Sequence, residues 1–267
     1  MDLREKRLFL LDMDGTIYLD EQLFDGVPAF LARIRALGGR YLFLTNNSSK
    51  CASAYVEKLQ WLGIPAAETD FLTSVDAMVH HLRKNGLTAH TFYVCGTRSL
   101  MDHLRREGIS VTADRDQADA LLCGFDTELT FQKLEDACIL LNRGVPFLAT
   151  NPDWVCPTWY GSVPDCGSVC DMLRRATGRT PVVVGKPEPE MVYLAMERTG
   201  FSPEETLVIG DRLYTDVACG VNAGVDSILV LSGESTAETL AASDVKPTAV
   251  FQDVAEILAH LTREGAV

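Results

Sequence analysis

Short apolar runs of strand length alternate with helix-patterned segments along nearly the whole chain. The runs at 7–12 and 41–45 are each followed by a segment whose apolar residues recur at helical spacing and which ends at glycine. Strands and helices that alternate in this way form parallel sheets, because each crossover helix returns the chain to the same end of the sheet. The sequence therefore predicts an α/β fold built on parallel sheets.

The alternation restarts twice, which indicates two domains. One helical pattern stops at Asn85-Gly86, where a new series of strands and helices begins, and a strand at 182–184 resumes the first series. The length of 267 residues fits this count, at roughly 150 residues for a domain. We predict a discontinuous domain of residues 1–83 and 182–267, interrupted by a smaller α/β domain of residues 84–181.

The formal net charge of −13 at pH 7 excludes a large class of partners. A surface this acidic repels phosphate-rich polymers, so we expect no nucleic acid partner. The N-terminal apolar run is broken at Asp12 and is too short for a signal peptide or a membrane span. The eight cysteines form no C-x-x-C pair and are expected to be reduced thiols. These features predict a cytoplasmic protein with no membrane partner.

Ligands of open parallel sheets bind at the carboxyl ends of the strands, and polar residues follow the predicted strands there. They are Asp12 and Asp14, Thr45 with Asn46 and Asn47, Lys186, and Asp211 with Asp216. Acids that converge on one crevice repel each other unless they are protonated or bind a cation, and carboxylate oxygens suit Mg²⁺. Each residue alone has an ordinary explanation as a turn, a helix cap or a solvated side chain. Their recurrence at successive strand ends predicts a site for a phosphoryl group.

Four segments carry a resemblance to a known family. They are "DMDGT" (12–16), "LTNNSS" (44–49), "VGKPEP" (184–189) and "IGDRLYTD" (209–216). They resemble the four motifs of the haloacid dehalogenase superfamily. Their order, with an α/β insertion between the second and third, is similar to that of NagD-like class IIA phosphatases. The resemblance implies a Rossmannoid core, an inserted C2-type cap domain and Mg²⁺-dependent hydrolysis of a phosphate ester.

The resemblance also implies a role for each site residue. Asp12 attacks phosphorus to give an aspartyl phosphate, and Asp14 acts as general acid and base. Mg²⁺ is held by the Asp12 carboxylate, the Asp14 backbone carbonyl and Asp211. The remaining roles are to bind the phosphoryl oxygens and to balance charge. They fall on the amides of Gly15 and Thr16, on Thr45, Asn46 and Asn47, and on Lys186. Asp216 supports either Lys186 or a metal-bound water.

An aromatic loop in the inserted domain, 149–167, corresponds to the region that faces the active site in this family. Trp154 and Trp159 are therefore candidates to contact the leaving group, although both rings also suit the core of the cap. Many relatives carry Pro-Gly-x-Gly after this loop, whereas this chain has Pro164-Asp165-Cys166-Gly167. The departure argues against transferring a substrate from any one relative.

The expected partner is a small phosphorylated metabolite, such as a nucleoside monophosphate, a sugar phosphate, phosphoglycolate or pyridoxal phosphate, with p-nitrophenyl phosphate as an artificial substrate. The alternatives are a phosphotransferase or mutase, and a non-catalytic phospho-accepting or phosphate-binding protein. The inserted domain argues against a phospho-accepting receiver, which is expected to be one small domain. The oligomeric state is open, with a homodimer as one option.

Overall fold

A computed structural model of the chain describes residues 1–158 and 160–262. Contacts divide the chain into two units. The first comprises Met1–Thr45, Val56–Leu72 and the chain from Lys186 on, and the second comprises Asn46–Tyr55 and Thr73–Gly185. Each unit contains a parallel sheet, so the predicted α/β class is confirmed. The boundaries drawn from the sequence, 1–83 with 182–267 against 84–181, stay a prediction.

Strands and helices alternate along the described chain, as the apolar pattern predicts. In chain order the strands are β1 Leu8–Leu11, β2 Tyr18–Leu19, β3 Gln22–Leu23, β4 Arg40–Thr45, β5 Phe71–Thr73, β6 Thr91–Cys95, β7 Ser110–Thr112, β8 Ala120–Cys123, β9 Phe147–Ala149, β10 Val155–Thr158, β11 Gly161–Pro164, β12 Val182–Val183, β13 Thr206–Gly210, β14 Asp226–Val230 and β15 Ala249–Phe251. The α-helices are α1 Val27–Ala36, α2 Ala52–Trp61, α3 Ser74–Lys84, α4 Arg98–Arg106, α5 Phe131–Asn142, α6 Cys166–Thr177, α7 Glu190–Thr199, α8 Ala218–Ala223, α9 Ala237–Ala242 and α10 Val254–Thr262. No helix within the described ranges has the length and apolar character needed to cross a membrane.

The sheet of the first unit has the strand order β15-β14-β13-β1-β4-β5. β1 lies between β13 and β4 and runs parallel to both. All four of its residues are buried, as expected for a parallel strand with both faces covered. This burial explains why Leu8–Leu11 is an unbroken apolar run rather than an alternating one.

Helices α1 and α10 pack against each other in the first unit. α1 has Pro28 in its first turn, where the N–H groups have no acceptor within the helix, and it buries Phe30 and Ile34. α10 buries Ile257 and Leu261. The helix-patterned segment after the run at 7–12 therefore forms α1, which begins at Val27.

The sheet of the second unit has the strand order β12-β9-β8-β6-β7. Its strands pair in parallel. Leu121 of β8 belongs to the same buried apolar cluster as Leu140 of α5 and Leu173 of α6. The second unit therefore has an apolar core of its own.

The strand predicted at 182–184 does not resume the first sheet. β12 instead pairs with β9, with Val182 opposite Leu148 and Val183 opposite Ala149. A short apolar run carries no information about which sheet it joins, and β12 is an edge strand of only two residues. The prediction that Lys186 follows a strand of the first sheet is therefore wrong.

The aromatic segment predicted as a loop contains an antiparallel hairpin. β10 pairs with β11, with Val155 opposite Pro164 and Thr158 opposite Gly161. Polar and apolar residues do not alternate regularly along β10 or β11, and Pro157 lies within β10. The sequence pattern typical of a strand is therefore weak in both. The hairpin leads directly into α6.

Candidate active site

The carboxyl ends of β1, β4 and β13 lie side by side in the first unit. Leu11, the last residue of β1, is opposite Phe43 of β4 and Ile209 of β13. The backbone N–H of Asp12 then donates to the carbonyl of Ile209 at 2.9 Å. The residues that follow or end these strands therefore leave one edge of the sheet, as predicted. They are Asp12, Thr45 and Asp211.

Lys186 binds two carboxylates at once. Its Nζ lies 2.6 Å from Asp12 Oδ1 and 2.5 Å from Asp216 Oδ1. The other oxygen of Asp216, Oδ2, accepts the backbone N–H of Arg212 at 3.0 Å. The side chains of Lys186 and Asp216 are 3% and 2% exposed, whereas that of Asp12 is 17% exposed. Asp12 is thus the more accessible carboxylate of this pair.

Asp211 completes an acidic group with Asp12 and Asp216. One carboxylate oxygen from each residue lies within 4.8 Å of the others. Asp211 Oδ2 accepts the backbone N–H of Glu234 at 2.7 Å, whereas buried Oδ1 has no hydrogen-bond donor among the described residues. A buried oxygen without a partner is costly, and carboxylate oxygens at this spacing suit a hard divalent cation. The donor set fits Mg²⁺.

The charges in this group are unbalanced. Burial, together with the charge of Asp216, raises the pKa of Asp12 well above its usual range, and Lys186 offsets only part of the rise. Burial and Asp216 also raise the pKa of Asp211 to about 6. Burial alone would lower the pKa of Lys186, but Asp12 and Asp216 raise it overall, so the ammonium stays charged. When all three carboxyl groups are ionised, their charge exceeds that of this ammonium, and a divalent cation would neutralise the excess.

Two glycines allow the backbone to approach Asp211 closely. A Cβ on Gly233 would lie 2.1 Å from Asp211 Oδ2, and a Cβ on Gly15 would lie 2.5 Å from the same oxygen. Gly15 also has φ +88°, which favours glycine. Within the loop, the N–H of Gly15 donates to the carbonyl of Tyr18, and the N–H of Thr16 donates to that of Met13. The predicted phosphate contacts of these two amides stay a prediction.

Asn46 and Asn47 follow Thr45 in the chain but group with the second unit. Asn46 Nδ2 donates to Asp153 Oδ2 at 2.8 Å. Asn47 Oδ1 accepts the backbone N–H of Ser49 at 2.9 Å, as in an Asx turn. Their predicted contacts with phosphate stay a prediction.

The tryptophans and the aspartate singled out in the hairpin segment have different surroundings. Trp154 is 58% exposed in the second unit, and Trp159 lies outside the described residues. Asp165, which stands where many relatives have glycine, is buried and caps α6. Its Oδ1 accepts hydrogen bonds from Asn151 Nδ2 at 3.1 Å and from the backbone N–H of Cys166. Contact of either tryptophan with a substrate stays a prediction.

Two side chains next to Asp14 were not predicted from the sequence. Tyr18 has its hydroxyl 3.4 Å from Asp14 Oδ2, and Lys58 has its Nζ 3.7 Å from Asp14 Oδ1. Lys58 lies on α2, far along the chain, and a lysine on a helix is most simply interpreted as solvated. The chain order therefore carries no signal for this contact.

Two family models and a curated relative match the chain. A model of haloacid dehalogenase-like hydrolases matches residues 9–110, and a HAD-hydrolase-like model matches residues 183–257. The acid sugar phosphatase of Staphylococcus aureus is 31% identical over 261 residues, which are 98% of this chain and 100% of that protein. The chain belongs to the haloacid dehalogenase-like hydrolase family. The family predicted from the four motifs is confirmed.

Solved structures of haloacid dehalogenase-like hydrolases match the chain over nearly its full length. The 4-nitrophenylphosphatase of Thermotoga maritima has a TM-score of 0.92 and 39% identity, covering 97% of this chain and 98% of that chain. The glycerol phosphate phosphatase of Mycobacterium tuberculosis, in complex with magnesium, has a TM-score of 0.89 and 30% identity, covering 98% of this chain and 78% of that chain. A putative NagD protein has a TM-score of 0.89 and 38% identity, covering 96% of this chain and 98% of that chain. This haloacid dehalogenase-like hydrolase is a NagD-like phosphatase with a Rossmann-like core and a cap.

Proposed function

We propose that the chain is a Mg²⁺-dependent phosphomonoester hydrolase that acts on a small phosphorylated metabolite through an aspartyl phosphate on Asp12. The position of Asp12 carries the proposal. Its carboxylate is partly exposed, lies 2.6 Å from the buried ammonium of Lys186 and belongs to the acidic group with Asp211. A nucleophile needs this combination of access to the substrate and a fixed, charged environment.

The proposed reaction has two steps. A carboxylate oxygen of Asp12 forms a bond to phosphorus as the bond from phosphorus to the leaving oxygen breaks, and Asp14 gives its proton to that oxygen. Asp14, now a carboxylate, takes a proton from water as the water oxygen attacks phosphorus and the bond from phosphorus to Asp12 breaks. Phosphate leaves, and both carboxyl groups return to their starting states.

The residues that would hold Mg²⁺ are Asp12 and Asp211, through their carboxylates, and Asp14, through its backbone carbonyl. When bound, Mg²⁺ supplies positive charge that reduces repulsion between the nucleophile and the phosphoryl oxygens. Lys186 orients Asp12 and adds to this charge, and Asp216 holds Lys186 in place. Asp211 Oδ1 is buried and has no hydrogen-bond donor among the described residues, which supports Asp211 as a Mg²⁺ ligand.

The phosphoryl oxygens would be bound by the hydroxyl of Thr45 and by backbone amides. Thr45 is buried at the carboxyl end of β4, next to β1 in the sheet. The amides proposed here are those of Gly15, Thr16, Asn46 and Asn47. Trp154 and Trp159 stay candidates for contact with the leaving group.

The relatives support a small phosphate ester as substrate. They are named for acid sugar phosphatase, 4-nitrophenylphosphatase and glycerol phosphate phosphatase activities. The panel we propose therefore contains sugar phosphates and glycerol phosphate besides nucleoside monophosphates, phosphoglycolate and pyridoxal phosphate. All eight cysteines are free thiols, which supports the proposed cytoplasmic location. A homodimer stays a prediction.

The test measures phosphate release from p-nitrophenyl phosphate and from an alkyl phosphate, each with and without Mg²⁺, together with Mg²⁺ binding by calorimetry. We expect Asp12→Asn to abolish release and Asp14→Asn to stop turnover of alkyl esters while Mg²⁺ still binds, because only the Asp14 carbonyl is a proposed ligand. Asp244→Asn, at an exposed position of the first unit, is the matched control. Near-wild-type release by Asp12→Asn would contradict the mechanism. Transfer of phosphate to an added alcohol in place of water would favour a phosphotransferase.

A further inference from the structure

Asp14 must meet the leaving oxygen in a defined position, yet its side chain is 57% exposed. An exposed carboxylate is free to change rotamer, and this freedom costs entropy to remove. Two groups of the first unit lie against it. The Nζ of Lys58 is 3.7 Å from Oδ1, and the hydroxyl of Tyr18 is 3.4 Å from Oδ2. Each carboxylate oxygen of Asp14 therefore faces a specific polar group.

Lys58 is in turn held by Tyr18. Its ammonium lies 3.7 Å from the centroid of the Tyr18 ring, a distance typical of a cation–π contact. Tyr18 is fully buried, and its backbone carbonyl accepts the N–H of Gly15 at 2.8 Å. Burial holds the Tyr18 ring in place, the hydrogen bond ties the Tyr18 backbone to the loop that contains Asp14, and the Lys58 ammonium lies against the ring.

We propose that Lys58 is a positioning residue for Asp14, and that with Tyr18 it holds the carboxyl group where protons pass to the leaving oxygen and from the attacking water. The inference rests on the proposed function, because it takes Asp14 as the general acid and base. Displacing such a group by about 1 Å costs on the order of 100-fold in rate. The loss depends on the leaving group. An alkoxide needs a proton as its bond to phosphorus breaks, whereas p-nitrophenolate needs little help.

Two other roles for Lys58 predict different results. If the lysine only stabilises the fold by packing on Tyr18, its loss lowers the hydrolysis of all esters by the same factor. If it binds a second anionic group of the substrate, its loss affects only esters that carry such a group, such as phosphoglycolate. Comparing the hydrolysis of several esters therefore distinguishes positioning of Asp14 from fold stabilisation and from binding of a second anionic group.

The experiment measures kcat/KM for glycerol phosphate, or another alkyl phosphate that the wild type hydrolyses, and for p-nitrophenyl phosphate and phosphoglycolate. We expect Lys58→Met to lower kcat/KM by about 10-fold to 100-fold for the two alkyl phosphates, glycerol phosphate and phosphoglycolate. The value for p-nitrophenyl phosphate should fall by no more than about threefold. Lys58→Arg, which keeps the positive charge, should recover most of the loss. Lys246→Met, at an exposed lysine of the first unit, is the matched control.

Equal losses on alkyl and aryl esters would overturn the inference, and so would a loss confined to phosphoglycolate or an Arg variant no better than Met. Lys58→Gln, with the same expectation, guards against a folding defect of Lys58→Met. Asp14→Asn separates the two levels of the proposal. If it changes the ratio of alkyl to aryl hydrolysis and Lys58→Met does not, only the role of Lys58 fails. If Asp14→Asn leaves the ratio unchanged, the proposed function fails and this inference with it.

Discussion

The ammonium of Lys186 lies 2.5 Å from Oδ1 of Asp216, and both side chains are almost wholly buried. Moving two ions out of water is costly, so a buried pair is stable only where further hydrogen bonds satisfy both partners. Asp12 is the second acceptor for Lys186, and the backbone N–H of Arg212 donates to Asp216. The pair thus holds a fixed positive charge beside the proposed nucleophile.

Replacing Lys186 should therefore reduce both activity and stability. We expect Lys186→Met to lower phosphate release by at least about 100-fold, because a fixed charge next to the phosphoryl group is lost. The free energy of unfolding at pH 7 should fall by about 3–5 kcal/mol, because Asp12 and Asp216 stay buried without their cation. Phosphate release and urea unfolding measure the two effects. An unchanged unfolding midpoint, equal to that of Lys246→Met, would contradict the role of the pair.

Gly233→Ala should damage the proposed metal site without removing a ligand. The added Cβ would lie 2.1 Å from Asp211 Oδ2, so the carboxylate must move. We expect Mg²⁺ affinity, measured by calorimetry, to fall about 10-fold to 100-fold, the range for loss of a group that orients a ligand. Glu234→Gln is the control, because the backbone N–H that binds Asp211 remains in that variant. Equal Mg²⁺ affinities for the two variants would count against Asp211 as a ligand.

Mg²⁺ affinity should also depend on pH through Asp211. In the metal-free protein, burial and Asp216 raise the pKa of this carboxyl group to about 6, so protons compete with the cation below that pH. We expect the dissociation constant to rise as pH falls, with at least about tenfold weaker binding for each pH unit below 6, because the raised pKa of Asp12 adds to the competition from protons. Calorimetry in two buffers of different ionisation enthalpy should show proton release at pH 5.5. Asp211→Asn should bind Mg²⁺ more weakly and release fewer protons, because only Asp12 then has a proton to lose.

The raised pKa of Asp211 also affects the stability of the metal-free protein, but in the opposite direction: rising pH strengthens Mg²⁺ binding and lowers this stability. A pKa raised above its unfolded value means that the folded state binds more protons between these two values. The contribution of Asp211 to stability is therefore fully present below the unfolded pKa and is lost as pH rises through about 6. Urea unfolding in the presence of a chelator should show this trend in the wild type and less of it in Asp211→Asn.

The strand-end residues were predictable because topology alone brings them together. Once β1, β4 and β13 are recognised as parallel strands, the residues after them must share an edge, and the register confirms this for Asp12 and Asp211. The position of Lys186 beside Asp12 could not be predicted from strand order. It follows a strand of the second sheet, and only the folded chain shows its contact with Asp12.

Contacts between distant elements could not be predicted from the sequence. Lys58 reaches Asp14 from the middle of α2, and nothing in the periodicity of that helix distinguishes it from a solvated lysine. The sequence also gives no sign that Gly233 matters, because its role is to leave room for the Asp211 carboxylate. Such residues are defined by three-dimensional proximity, which hydrophobic patterning does not encode.

The second unit offers a stability test that is independent of the catalytic proposal. Asp136 is buried, accepts a hydrogen bond from the Tyr93 hydroxyl at 3.0 Å and pairs with Arg115 at 2.6 Å. Burial raises the pKa of Asp136, but hydrogen bonds from Arg115 and Tyr93 lower it overall. We expect Asp136→Asn to lower the free energy of unfolding at pH 7 by about 1–3 kcal/mol. Asp102→Asn, which breaks an exposed pair on α4, should cause no measurable change.

The pH dependence of this deficit provides the sharper check. Because the pKa of Asp136 is lowered on folding, its contribution to stability is present above the unfolded pKa and is lost as pH falls through the folded one. The difference between the wild type and Asp136→Asn should therefore be largest near neutral pH and shrink in acid. A difference that stays constant down to the acid unfolding transition would show that the amide disturbs packing and that the charge of Asp136 contributes nothing.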